Sequence, residues 1–171
     1  RKGLDIDYRC TNYLDLNISE EFDLIILIYN DFSVLMPPDR DRLLARVHRA
    51  LKKGGTFIFD VINDRESDER FIDETSWSLA EKGFWRPAPY LELTSAFHYP
   101  EAHVYLKQYC IYQEAEEAEI FRFWFHYYSS ARAKEILEDI GFRECRNYEG
   151  LLPDLGIWEG EFLSFYSAQK N

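Results

Sequence analysis

The sequence predicts an α/β fold built on a parallel sheet, and three neighbouring observations predict it. FDLIILIYNDF (22–32) holds an uninterrupted apolar run from Leu24 to Tyr29, an amphipathic stretch with end signals follows, and TFIFDVIN (56–63) is a second apolar run. Runs of this kind suit strands buried on both faces. Strand, helix and strand with short connections form a βαβ unit, which implies parallel pairing and a right-handed crossover.

The remaining elements follow in order. Residues 4–10 (LDIDYRC) alternate weakly, and NYLDLNIS reads as a polar loop. Pro38 suits the first turn of the helix, with Asp39 and Asp41 at the positive end of its dipole. Leu43, Leu44, Val47 and Leu51 fall on its apolar face. Lys52 and Lys53 complement the negative end, and Gly54 is expected at the left-handed position after it. Residues 64–76 read as a loop or short surface helix. From Trp77 to Tyr128 the chain is aromatic and β-branched, broken by Pro87, Pro89 and Pro100. HVYLKQYCIYQ (103–113) and EIFRFWFHYYS (119–129), joined by EAEEA, form an antiparallel hairpin of a small extra sheet. Ser129 or Ser130 caps a last helix with Ala133, Ile136, Leu137 and Ile140 inward and Gly141 as its stop. FRECRNYEG and GEFLSFYSAQ supply two closing strands.

Composition narrows the function. The chain has 171 residues, enough for one domain with a real core, and a net charge of −11. An acidic chain without a basic run does not track a nucleic-acid backbone. No apolar stretch reaches the roughly 18 residues of a membrane span. The three cysteines, Cys10, Cys110 and Cys145, lack metal-site spacing and read as free thiols, which points to the cytoplasm. The 4 Trp, 12 Tyr and 13 Phe amount to 17% of the residues, which invites an aromatic-lined pocket.

The segment FDLIILIYNDFSVLMPPDRDRLLARVHRALKKGGTFIFDV (22–61) resembles the class I S-adenosylmethionine-dependent methyltransferases, in their small-molecule branch. An "FD-apolar" strand, a helix ending in L-K-x-GG and an x-F-I-F-D strand carry the likeness, and the helix, G-F, strand, strand order at 131–168 extends it. The resemblance implies a Rossmann-like sheet, with 1–63 as part of the cofactor-binding core. It makes 64–128 an aromatic-rich insertion covering the substrate, and 129–171 the closing helix and strands of the core. It further implies S-adenosyl-L-methionine as cofactor and a small-molecule methyl acceptor as partner. The family's opening strand and glycine-rich turn have no counterpart, since no G-x-G occurs anywhere. The start instead resembles the family's third strand. The chain is therefore expected to be the C-terminal two-thirds or so of a longer enzyme, inactive and poor at binding the cofactor by itself. An edge left open by missing strands would favour a homodimer.

By position in that pattern, Asn12 and Tyr13 would meet the adenine, with Asp15 a rival to Asn12. Tyr29, Asn30, Asp31 and Phe32 would line the methionyl and adenosyl groups. Asp60 reads as fixing a loop. On 119–128, Phe121, Phe123, Phe125 and Tyr127 share one face, expected to be core. Arg122, Trp124, His126 and Tyr128 share the other, expected to be the substrate wall. His126 could serve as base near neutral pH, against the blander reading of a satisfied surface residue. Trp77, Trp85, Tyr90, Trp124 and Tyr128 are the expected pocket residues, and aromatic faces could also hold a cationic amine. No metal site is expected. The alternative function is a non-catalytic interaction module that kept the fold without the cofactor turn; a ligand carrier fits a βαβ chain less well.

Overall fold

A computed structural model describes residues 3, 5–65, 75–151 and 160–171. Residues 5–12 carry no regular structure, so the weakly alternating start does not form a strand; a short 3-10 turn, Tyr13–Asp15, follows. Strand β1 (Phe22–Leu27) leads into a single-turn helix α1 (Asp31–Val34), then helix α2 (Pro37–Ala50) and the long strand β2 (Leu51–Asn63). The expected βαβ unit is present, with β1 and β2 parallel.

The helix stops earlier than its charge pattern suggested. Leu51 turns to extended backbone and is fully buried opposite Phe22, so Lys52, Lys53 and Gly54 belong to β2. Between the Phe22–Leu51 and Leu24–Thr56 rungs the register shifts, and Gly54 takes its left-handed φ of 76° inside this irregularity. A Cβ on Gly55 would lie 2.9 Å from the Lys52 carbonyl oxygen and 3.1 Å from that of Phe22, so close backbone approach requires glycine there.

Strands β3 (Thr75–Ala80), β4 (Tyr90–Tyr99), β5 (Val104–Tyr112) and β6 (Glu119–Tyr128) form an antiparallel run. The expected hairpin is β5–β6, but the sheet it belongs to is not separate. Ile62 and Asn63 of β2 pair in parallel with Tyr127 and Tyr128, and the sheet continues through β8 (Leu163–Lys170) to β7 (Phe142–Glu149), giving the order β3-β4-β5-β6-β2-β8-β7. Helix α3 (Ser130–Ile140) has Ser129 as cap, its side chain accepting from Arg132 N, and Gly141 at φ 111° as its stop. Strands β7 (Phe142–Glu149) and β8 (Leu163–Lys170) close the core, β8 antiparallel to β2. Of the expected 64–76 segment, residues 66–74 lie outside the described residues.

One core unites Phe32, Leu43, Leu44 and Val47 with Phe57, Phe59, Ile136, Leu137 and Phe142. It lies on a single side of β1. Leu24, Ile26 and Ile28 are 48%, 54% and 52% exposed, whereas Ile25 and Leu27 pack on the core. The expectation of a strand buried on both faces fails because no described element covers the second face. Among the described residues β1 pairs only with β2, and a cavity of about 590 Å³ runs beside β1 between Asp7, Tyr13, Leu24 and Ala50.

Candidate cofactor and acceptor site

The parallel strands β1 and β2 end at one crevice, the place where open α/β sheets put ligands. As the chain leaves β1, Tyr29 and Asn30 both take left-handed backbone, φ 83° and 65°. That conformation is rare for an aromatic residue and persists only when its surroundings fix it. Asp60 of β2 does so: its two carboxylate oxygens accept the backbone N–H groups of Tyr29 and Asn30, each at 3.0 Å. Burial pushes the Asp60 carboxyl above the ordinary carboxylate range. The Asn30 and Tyr29 bonds pull it back, and the nearby Asp31 charge pushes it up again. Ser33 secures the other side of the turn, its Oγ accepting from Ile62 N at 3.0 Å.

The Asn30 side chain is only 3% exposed, yet neither its amide nitrogen nor its oxygen has a hydrogen-bond partner. A buried amide left unpaired costs about 1–3 kcal/mol, so this group fits a polar ligand that completes it. Phe32 does not face the crevice; it is fully buried against Phe59 and Tyr128. Asp31 opens α1 half-buried. Tyr13 lies within reach of its charge, since burial first, then Asp31 and Asp39, raise the Tyr13 phenol. Asn12 caps the 3-10 turn, its Oδ1 accepting from Leu14 N at 3.0 Å, so the oxygen expected to meet adenine already holds a turn. Asp15 pairs with Arg42 at 2.7 Å.

The expected pocket residues separate. Trp85 lines an aromatic cavity of about 530 Å³ with Tyr29, Phe84, Tyr109, Phe123 and Phe125. Its indole N–H donates to Glu92 at 2.8 Å, and its ring stacks on Phe121 at 4.6 Å. The all-aromatic face of β6 is thus pocket wall, with Phe123 exposed, and not core. Beyond its two rungs with β2, β6 pairs only with β5 among the described residues, and Phe121 and Phe123 lie against Trp85. Trp77 is 69% exposed on the outermost strand, Tyr90 is buried beneath Gly83, and Trp124 stands beside Tyr99. None of these three lines the cavity.

His126 and Tyr128 instead line a smaller cavity of about 220 Å³, with Arg40, His103 and Arg132. His126 Nδ1 lies 3.3 Å from the Ser33 carbonyl oxygen; a carbonyl only accepts, so Nδ1 carries the proton and Nε2 the lone pair. Burial lowers its pKa and the Arg40 charge adds to this, while the Ser33 bond opposes. Phe84, Tyr109, Phe123, Phe125 and Arg40 were missed from sequence. The signal was there for the aromatics, in a run of rings with no helical partner between Phe84 and Phe125. Among the described residues no group of three or more metal-binding side chains converges, and no helix is long and apolar enough to cross a membrane.

This architecture is the fold of the class I S-adenosylmethionine-dependent methyltransferases. It matches an S-adenosylmethionine-dependent methyltransferase from Clostridium acetobutylicum with a TM-score of 0.67 at 14% identity, over 98% of this chain and 66% of that one. The CcbJ methyltransferase of Streptomyces caelestis matches at 0.58 and 14%, over 94% and 62%. CalS10, an amino pentose methyltransferase from Micromonospora echinaspora, matches at 0.54 and 14%, over 94% and 63%. The chain therefore spans just under two thirds of the length of these structures. In sequence, residues 1–55 match the family described as Methyltransferase domain. Among curated proteins, none matches.

Proposed function

We propose that the protein carrying this chain transfers a methyl group from S-adenosyl-L-methionine to a small molecule, with 1–63 and 129–171 as core and 64–128 as acceptor cover. The observation that carries the reading is the unpaired, buried Asn30 amide at the end of β1, on a turn locked by Asp60. The amide offers two donors and an acceptor to a polar head group, with Tyr29, Asp31 and the more distant Tyr13 and Asn12 around it. The cofactor supplies a methyl carbon activated by a sulfonium, so the protein needs chiefly to align a lone pair and exclude water. Trp85, Phe123 and Phe125 provide an apolar wall that excludes water. His126, neutral with its Nε2 lone pair available, accepts the proton of a nucleophile that arrives protonated. A fold shared with an amino pentose methyltransferase supports a small acceptor.

The test is calorimetric titration of S-adenosylhomocysteine into this chain and into the full-length gene product. Tight binding to the full-length protein with weak or absent binding to this chain is expected. Asn30→Gly, which tolerates the left-handed backbone, should weaken full-length binding at least tenfold while leaving urea stability unchanged or higher. No binding to the full-length protein would transfer the case to the interaction-module reading.

A further inference from the structure

Around His126, the 220 Å³ cavity at the start of α2 adds a chemistry that methyl transfer does not require. In a chain of net charge −11 it gathers two guanidinium groups, Arg40 and Arg132, two imidazoles, His103 and His126, and the Tyr128 hydroxyl. Arg40 is 94% buried by its 6% exposure, an unusual place for a cation unless something holds it there. Its Nε and Nη2 donate to Asp41 at 2.9 and 2.7 Å, and its Nη1 donates to the Tyr128 hydroxyl at 3.4 Å. Those bonds use three of the five N–H donors of a guanidinium and leave two. Because Tyr128 Oη accepts from Arg40, its own proton is directed elsewhere.

The cavity also lies where two helices begin. Pro37 is the first residue of the 14-residue α2, and Ser129 caps the 11-residue α3; both line the cavity. Their dipoles add positive potential at the point where the guanidinium groups converge. Three acids temper the charge: Asp41 pairs with Arg40 at 2.7 Å, and two others stand nearby. Asp64 is part of the lining, and Arg132 pairs with Glu135 at 2.5 Å. Both Arg132 and Glu135 are more than half exposed, so water screens that pair and Arg132 can turn to a stronger acceptor.

We propose that this cavity binds an oxyanion, a phosphate or carboxylate group, through Arg40, Arg132 and the Tyr128 hydroxyl. The volume admits one such group and little more. The cavity opens at the carboxyl ends of β2 and β6, the same side of the sheet as the Asn30 turn. Resting on the methyl-transfer reading, the methyl acceptor is then a small molecule with an anionic tail, held by the arginines in the cavity that His126 lines.

The test needs neither cofactor nor activity, so it can fail without touching the methyl-transfer reading. Inorganic phosphate and propionate are titrated at constant ionic strength into the 171-residue chain, followed by the ring C–H signals of its four histidines. Saturable shifts of His103 and His126 are expected. His48, which packs on Phe142 at the far end of α3, should not move. Response to phosphate alone assigns a phosphorylated acceptor, and response to propionate alone a carboxylate. Arg132→Gln should weaken binding at least fivefold, and Arg40→Lys, which keeps the charge and loses the planar fork, at least tenfold. Arg146→Gln, whose side chain pairs with Glu144 on β7, should leave binding unchanged. Uniform shifts at all four histidines, no saturation with either anion, or equal affinity for the Arg132 variant and the unaltered chain would overturn the proposal.

Discussion

Strand β1 presents two faces made from the same kinds of residue in opposite surroundings. Ile25 and Leu27 point into a core floored by Phe57 and Phe59, whereas Leu24, Ile26 and Ile28 point outward beside Thr56 and Ile58. The chemistry of the side chains is alike, and only the second layer differs. Hydrophobicity along a strand records that both faces are meant to be covered, and leaves open which segment does the covering. An exposed row of large aliphatic residues marks a place where another layer belongs.

Phe59→Ala breaks the covered side most severely. Phe59 is fully buried and flanked by Phe32, Phe57 and Tyr166, so its loss should cost about 3–5 kcal/mol in urea unfolding. Ile26→Ala on the bare side should cost under about 1 kcal/mol in the same chain. Comparable losses at the two positions would mean that the outer face is covered in solution.

Asp60 lies where the two sides meet, and Asp60→Ala should cost about 2–3 kcal/mol by leaving the Tyr29 and Asn30 N–H groups without partners. Its carboxyl is raised above 3.8 by burial, so the folded chain holds a proton that the unfolded chain has lost. The contribution of Asp60 therefore falls as pH rises through that window. The urea midpoint of the native chain should drop relative to Asp60→Asn as pH rises from 3.8 through the raised folded value. A gap that widens with pH would contradict the assignment.

Gly55→Ala, at the tight approach of β2 to Phe22, should cost about 1–2 kcal/mol, against a few tenths for Gly150→Asn, which tolerates the left-handed φ of 64° at an open position. The smallest effect is acid sensitivity at His126. Its depressed pKa means stability is fully present above 6.5 and is lost as pH falls through the folded value. His48 is lowered in the same way by burial and Lys170, so His126→Asn should reduce the acid slope without abolishing it.

The βαβ unit, the hairpin and the last helix were legible because each has a local cause: an apolar run, a strand pair with a short polar link, a serine cap and a glycine stop. Asp60 was also readable as a loop-fixing residue. The Tyr29–Asn30 conformation was not, since an aromatic at positive φ is imposed from β2, 30 residues away. The true pocket wall was misassigned for a related reason. Alternation on β6 separates two faces but does not name which one meets a helix, and only the pairing of Tyr127 and Tyr128 with β2 decides that. The buried Arg40 gave no signal because its spacing on α2 looks like a solvated charge.

That shared rung carries a consequence for recombination. The last two residues of β6 are part of the core ladder, and Tyr128 packs directly on Phe32. A chimera that swapped in another protein's cover with its downstream crossover point at residue 128 would sever the inter-strand ladder and an aromatic contact together. A crossover before Tyr127 keeps both. The exchangeable cassette is accordingly shorter than the stretch of aromatic composition, and its downstream splice point is dictated by the core that receives it.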